Sequence, residues 1–286
     1  MARESADPQP LDVSVIVPVR NAESLIRDCL DSIRQSNPRE IIVVDGMSTD
    51  RTVAIARSYG AVVLSDEGRG LPAARRMGVE AAASQQVALI DVDVRLAPGD
   101  LARLLSEFHT DGYAALQAGL HSVSDGGYWG QALAYHHRTG RSKNWFGVVA
   151  TILDRDVMLE HGFDDRFPSG EDIDLRWRLR EAGKKIGVSH RTVVEHRFED
   201  SWKFAKGQFV ADGHGLGRMV SNHGIRAKLL LALPAAAAVR GMALSLFRAQ
   251  PRWIPYFAVY ALYNYIAIGR ELLGQAKQAR QPSSAT

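Results

Sequence analysis

Asp91 and Asp93 directly follow the apolar run Val87 to Ile90. In extended chain, residues two apart point alike, so this spacing would set both carboxylates on one side at the end of a strand. Oxygen donors of that kind suit Mg²⁺ or Mn²⁺, and such a cation would neutralise a departing diphosphate. The bare pair equally suits a solvated loop or a helix cap. A second acidic group, Glu171, Asp172 and Asp174, follows Gly170 at the expected start of a helix. Acids favour helix amino termini through the dipole and the free amides, yet three in four residues is more acid than a cap requires. One of them could act as a general base towards a hydroxyl. His196 ends a β-branched run and gains a ligand role only alongside Asp93, since neutral imidazole is an acceptable ligand for Mn²⁺. The stretch from Gly68 to Arg75 puts two glycines and two arginines at a helix start, a natural place for phosphate, although it matches neither a P-loop nor a dinucleotide fingerprint.

The elements that must position these groups alternate in the first half of the chain. Strands are expected at Val13 to Val17, Ile41 to Val44, Ala61 to Leu64 and Val87 to Ile90. Between them lie a helix capped by Asn21, with Leu25, Ile26, Cys29, Leu30 and Ile33 on one face, a helix from Thr52 to Tyr59, and a third from Leu71 to Ala83. This is the pattern of a largely parallel sheet covered by helices. Ligands of such sheets bind beyond the carboxyl ends of the strands, so Pro18, Asp45, Asp91 and Asp93 should face one crevice. Gly126 to Gly147, with Arg138 and Arg141, reads as a loop-rich acceptor side.

A chain of 286 residues holds one sizeable α/β domain with an appended segment. The single cysteine, Cys29, falls in an apolar face and reads as core, which leans towards a reducing compartment. Residues 1–10 are polar and do not read as a secretory signal. Beyond residue 225 eight cations oppose Glu271 alone, a surplus of seven, so the remaining chain is net −4. A basic, apolar segment suggests an anionic membrane surface and excludes nucleic acid as the expected partner. Leu229 to Phe247 contains Pro234 and Arg240, and Ile254 to Gly269 contains Pro255 and Asn264, so interfacial or re-entrant helices fit better than two clean spans. Trp253, Tyr256, Tyr260, Tyr263 and Tyr265 look like interfacial anchors. The expected layout is a flexible segment 1–11, a catalytic domain 12–225, membrane-associated helices 226–275 and a flexible tail 276–286.

Taken in order over residues 12 to 200, these motifs resemble the family 2 glycosyltransferases. Val13 to Asn21 is similar to that family's opening strand and turn, Glu40 to Asp50 to its nucleotide-base segment, and Ala73 to Gly78 to its arginine-bearing helix. Ala88 to Asp93 resembles its metal motif and Gly170 to Leu175 its acidic motif. The resemblance implies a GT-A nucleotide-diphospho-sugar transferase fold: a Rossmann-like, mixed, mainly parallel sheet flanked by helices, here with a C-terminal apolar helical segment. It implies an inverting, divalent-cation-dependent hexosyl transfer from a UDP-, GDP- or dTDP-sugar to a lipid-linked or polysaccharide acceptor, in cell envelope synthesis at the cytoplasmic face of the plasma membrane. Donor binding would fall to Pro18, Arg20, Asp45, Arg75 and Asp91. Asp93 and His196 would hold Mn²⁺ or Mg²⁺, and Asp172, with Glu171 beside it, would be the base. The sequence departs from the family at Gly46, where a second aspartate is common, at Met47, where glycine is common, and at Gly162, where a glycine pair is usual.

Two other readings differ in class. A sugar nucleotidyltransferase needs a glycine-rich triphosphate loop near the first strand, and Val17 to Glu23 contains no glycine. A membrane-tethered nucleotide-sugar binding module without catalysis has no need of Glu171, Asp172, Asp93 and His196 together.

Overall fold

The β-branched run from Val13 to Val19 is buried throughout, which demands cover on both faces and pairing on both edges. It forms strand β1 (Leu11–Val19) of an eight-stranded sheet in a computed structural model that describes residues 9–140 and 145–278. Residues 1–8 and 279–286, the outer parts of the two segments expected to be flexible, lie outside the described residues, as does Arg141. After β1 the chain runs through α1 (Glu23–Arg34), β2 (Pro38–Asp45), α2 (Thr52–Ser58), β3 (Val62–Ser65), α3 (Leu71–Ala81) and β4 (Gln86–Ile90). Then come β5 (Val94–Arg95), α4 (Asp100–Asp111), β6 (Ala115–Val123), α5 (Tyr128–Thr139), β7 (Ala150–Asp154), α6 (Arg155–His161), α7 (Glu171–Glu181) and β8 (Ile186–Arg197). The strand order is β3-β2-β1-β4-β7-β6-β8-β5. Pairing is parallel from β3 through β4 and antiparallel at β7, so the mixed, mainly parallel sheet anticipated from the sequence is present.

The chain divides into two compact units. Unit 1 comprises the residues up to Gly119, Val148–Phe163 and Leu179–Glu195, and so holds the sheet apart from the last residues of β6 and β8. Its helices lie where the apolar periodicity puts them: Ile26, Cys29, Leu30 and Ile33 of α1 are all fully buried. Asn21 is not the cap of α1, which begins at Glu23; its side chain accepts instead from the Thr49 amide at 2.8 Å. Helix α3 sits close on β1 because residue 78 lacks a side chain, and a Cβ there would lie 2.3 Å from Ile16 Cγ2.

Unit 2 comprises Leu120–Gly147, Asp164–Arg178 and the residues from His196 onward. Here α8 (Trp202–His223), a 3₁₀ segment (Gly224–Ala232), α9 (Leu233–Phe247), a short 3₁₀ turn (Pro251–Trp253) and α10 (Ile254–Gln278) follow one another. Glycines let α8 and α10 approach closely: a Cβ at Gly213 would lie 2.4 Å from the Asn264 carbonyl, and one at Gly217 would lie 2.8 Å from Glu271 Cβ. Two sequence expectations change. The stretch from Gly126 to Gly147 is not mainly loop, because α5 occupies twelve of its residues. Trp253 and Tyr256 are not interfacial anchors; they are 3% and 0% exposed in an aromatic core with Tyr135, Phe209 and Phe257. The exposed apolar groups lie on other residues, with Leu229 at 83%, Val239 at 69% and Phe247 at 89%. Trp202–Phe247 is long and apolar enough to cross a membrane by length and composition.

Gly78→Ala tests the α3–β1 contact. Helix propensity alone would stabilise by about 1 kcal/mol, but Ile16 is fully buried and cannot retreat. The clash should win, leaving a net loss of about 1–2 kcal/mol in urea unfolding. A variant as stable as the parent would show that the contact is not tight.

Candidate active site

In unit 1 the crevice loops are tied to one another by side chain to backbone bonds. Parallel register sets Val19 opposite Asp45, and the Gly46 amide closes onto the Val19 carbonyl at 2.8 Å. Pro18 is buried within β1 opposite Val44, and Arg20 is exposed just beyond the strand. The Asn21 amide donates to Ser48 Oγ at 2.7 Å and the Ala22 amide to Thr52 Oγ1 at 2.8 Å. The glycine at 46 has a local cause, since a Cβ there would stand 3.3 Å from Arg20 Cβ and 3.4 Å from the Val19 carbonyl. Met47 follows in the left-handed region at φ 62°. Asp45 is 6% exposed; its Oδ2 accepts from the Ser48 amide at 3.0 Å, while its Oδ1 is buried with no hydrogen bond among the described residues. A buried carboxylate oxygen in that condition is a costly arrangement unless a ligand supplies a donor.

Asp66 is a positioning residue that the motif reading overlooked. It is 1% exposed and accepts from the Gly68 amide at 2.8 Å and the Gly70 amide at 2.9 Å. The glycines before α3 therefore give these two amides to Asp66, not to phosphate. The signal was present as Asp66-Glu67-Gly68, the sequence of an aspartate that binds its own backbone two residues on.

Among the described residues the largest fully buried side chain is Arg75 on α3, 2% exposed. Its Nη2 donates to Asp91 Oδ1 at 3.1 Å, and the guanidinium lies 5.5 Å from the centre of the Phe163 ring. Asp91 and Asp93 do not continue the strand. The Asp91 amide donates to the Val149 carbonyl at 2.9 Å, and the Val94 amide turns back to the Asp91 carbonyl at 3.0 Å. The extended-chain argument for their common orientation thus fails, because chain reversal into β5 supersedes it. Arg95 braces the turn, donating to the Val92, Val94 and Leu25 carbonyls at 2.8–3.0 Å. Cys29 lies beneath, fully buried, with burial pushing its thiol up to about 12, as suits a core residue and not a nucleophile.

In unit 2 the acidic group separates into roles. Asp174 is 2% exposed, accepting from Arg178 Nε at 2.7 Å and lying 2.9 Å from His223 Nε2, so it is an internal ion-pair residue. Glu171 is buried, at 7% exposure, whereas Asp172 is half-buried. The turn before them packs on α8: Gly170 has φ 80°, and a Cβ on it would lie 2.6 Å from Gly215 Cα. His196 is 6% exposed, its ring 4.6 Å from that of Phe198 and 6.0 Å from that of His137. Burial, with His196 and His136 as neighbours, holds His137 well below the usual imidazole range, so it is neutral at pH 7. The structure therefore places Pro18, Arg20, Asp45, Arg75, Asp91 and Asp93 in unit 1, and Glu171, Asp172 and His196 in unit 2.

A mixed sheet with acidic residues beyond β2 and β4, and an arginine helix beneath the second of them, defines the GT-A class of fold. The family description "Glycosyl transferase family 2" matches residues 14–159, and the chain belongs to that family. The pre-mycofactocin glycosyltransferase of Mycobacterium tuberculosis is 32% identical over 215 residues, covering 68% of this chain and 44% of the relative. The chain thus spans less than half of that relative's length. A mannosyltransferase of Pyrobaculum calidifontis, solved in complex with GDP-Man and Mn²⁺, superposes with TM-score 0.65 at 20% identity over 96% of this chain and 92% of that one. Glucosyl-3-phosphoglycerate synthase of Mycobacterium tuberculosis, solved with Mg²⁺ and UDP, gives 0.56 at 22% identity over 74% and 79%. These two likenesses establish the fold.

Asp91→Asn should cost about 2–3 kcal/mol in urea unfolding. That is less than the roughly 3–5 kcal/mol of a fully buried broken pair, because Asp91 is 26% exposed while Arg75 is 2% exposed. Stability equal to the parent's would mean that Asp91 is not the countercharge of Arg75.

Proposed function

We propose that the chain is an inverting hexosyltransferase that moves a sugar from a UDP-, GDP- or dTDP-sugar to a hydroxyl of a lipid-linked or polysaccharide acceptor. The observation that carries this reading is the graded use of carboxylates. Asp45 keeps a buried oxygen with no hydrogen bond among the described residues, Asp91 is matched to Arg75, and Asp174 is matched to Arg178. In this reading Asp93 is the metal ligand and Asp172 the base. Asp45 Oδ1 accepts a donor N–H of the nucleotide base, Pro18 and Arg20 flank it, and Arg75 with Asp91 fixes the ribose and diphosphate side.

The donor set fits a divalent cation. Asp93 is a hard oxygen ligand and His196 a borderline nitrogen ligand, both acceptable to Mn²⁺, with Mg²⁺ favouring the oxygen. No cluster of three His, Cys, Asp or Glu side chains stands ready to hold a metal among the described residues. In this reading the cation is held by few protein groups and completed by substrate phosphate oxygens. When bound, the cation supplies positive charge to the departing diphosphate. Asp172, half-buried at the start of α7, takes the proton from the acceptor hydroxyl as that oxygen forms its bond to the anomeric carbon. The bond from that carbon to the diphosphate breaks on the opposite face, which inverts the centre. Glu171 lies beside the base and supports it.

The catalytic domain, residues 12–225, works in this reading beside membrane-associated helices at 226–275 on the cytoplasmic face of the plasma membrane, in cell envelope polysaccharide synthesis. Support comes from the apolar side chains exposed at Ile225, Leu229, Val239, Leu246 and Phe247. Groups of this size in one segment mark an interaction surface.

Asp172→Asn should lower the transfer rate by about 10²–10⁴-fold, with donor affinity by calorimetry unchanged. Asp93→Ala should lose the Mn²⁺-dependent part of donor binding. An Asp172→Asn enzyme that transfers sugar at the parental rate removes Asp172 from the role of base.

A further inference from the structure

Within unit 2 a cavity of about 480 Å³ is lined by Arg138 of α5, by Arg248 and Arg252 of the α9–α10 connection, and by Gln131, Tyr135 and Trp253. No aspartate or glutamate lines it. Arg138 donates to the Ser122 carbonyl at 2.5 Å, and the Arg252 guanidinium lies 4.3 Å from the centre of the Trp253 ring. Neither of these two, nor Arg248, makes an ion pair among the described residues. Three guanidinium groups around one cavity repel each other, and because all three residues are exposed, water and salt screen that repulsion without abolishing it. An anion removes it. Tyr135 gives a second, independent sign: it is 6% exposed, stacks on Trp253 with ring centres 5.6 Å apart, and its hydroxyl is buried with no hydrogen bond among the described residues. A buried hydroxyl left in this way is costly unless a ligand accepts a hydrogen bond from it.

We infer that this cavity is a binding site for the phosphate head group of an anionic membrane lipid. Planar guanidinium forks match phosphate oxygens two at a time, and the Tyr135 hydroxyl adds a neutral donor. The lipid source follows from what adjoins the arginines. Leu246 and Phe247 immediately precede Arg248 at the end of α9 and are 63% and 89% exposed, so large apolar side chains free to meet acyl chains stand within one helical turn of a cationic lining residue. This inference rests on the membrane reading above and narrows it: the diffuse positive charge of the C-terminal segment is replaced by one saturable site.

The test uses the full chain and vesicles of phosphatidylcholine with or without one-quarter phosphatidylglycerol, read by co-sedimentation. Arg248→Gln with Arg252→Gln should weaken binding to the anionic vesicles at least about tenfold, the loss of one or two charge-assisted bonds. Arg226→Gln with Lys228→Gln, an equal loss of charge in the 3₁₀ segment Gly224–Ala232, should weaken it less than about threefold. Tyr135→Phe changes no charge and removes the buried hydroxyl, so it should fold as well as the parent while losing about threefold in affinity. Equal losses in the two double variants would overturn the site and leave the membrane reading intact. A parent chain that binds no vesicle would overturn both. Calorimetry with dihexanoylphosphatidylglycerol and with inorganic phosphate separates the sources, and equal affinity for the two would overturn the lipid assignment.

Discussion

The crevice of unit 1 depends on a guanidinium that has almost no contact with water. Arg75 is 2% exposed, and Asp91, 3.1 Å away, supplies a countercharge that helps make its burial tolerable. That pairing fixes α3 against the turn after β4, and Gly78 allows the same helix to lie on β1. One helix thus ties the interior of β1 to the turn after β4. The crevice is then completed by short bonds from Asn21, Ser48, Thr52 and Asp66 to neighbouring backbone amides. Loops held by side-chain acceptors in this manner are rigid before any ligand arrives, which lowers the ordering cost of binding.

The elements of unit 1 were legible because buried parallel strands leave continuous β-branched runs, and the helices between them leave an apolar face with period 3.6. Val13 to Val17 and Val87 to Ile90 fall within β1 and β4 for that reason. Local hydrogen bonding was much less legible. Asn21 caps no helix because the Thr49 amide competes for its side chain, and Asp91 to Val94 forms a turn where strand periodicity suggested extension. Both misreadings have one physical origin: short polar side chains and chain reversals are decided by which backbone amide is nearest, and that is a tertiary fact.

The second unit shows the same limit for aromatic residues. Trp253, Tyr256 and Tyr260 have the composition of interfacial anchors, but composition does not say which way a helix turns. The fold spends Trp253 and Tyr256 on a core with α5 and α8 and leaves Leu229, Val239 and Phe247 outside. Of the acidic group, only contacts could show that Asp174 belongs to Arg178 and His223.

The proposed function turns on Asp93 and His196 both serving as cation ligands when donor is bound. Pulsed electron paramagnetic resonance of Mn²⁺ with the full chain and nucleoside diphosphates tests it directly. The account predicts a nitrogen coupling of the size of a directly bound imidazole, present with the cognate nucleotide and lost in His196→Gln. A saturated nucleotide complex without that coupling, or one that keeps it after His196→Gln, would contradict the account.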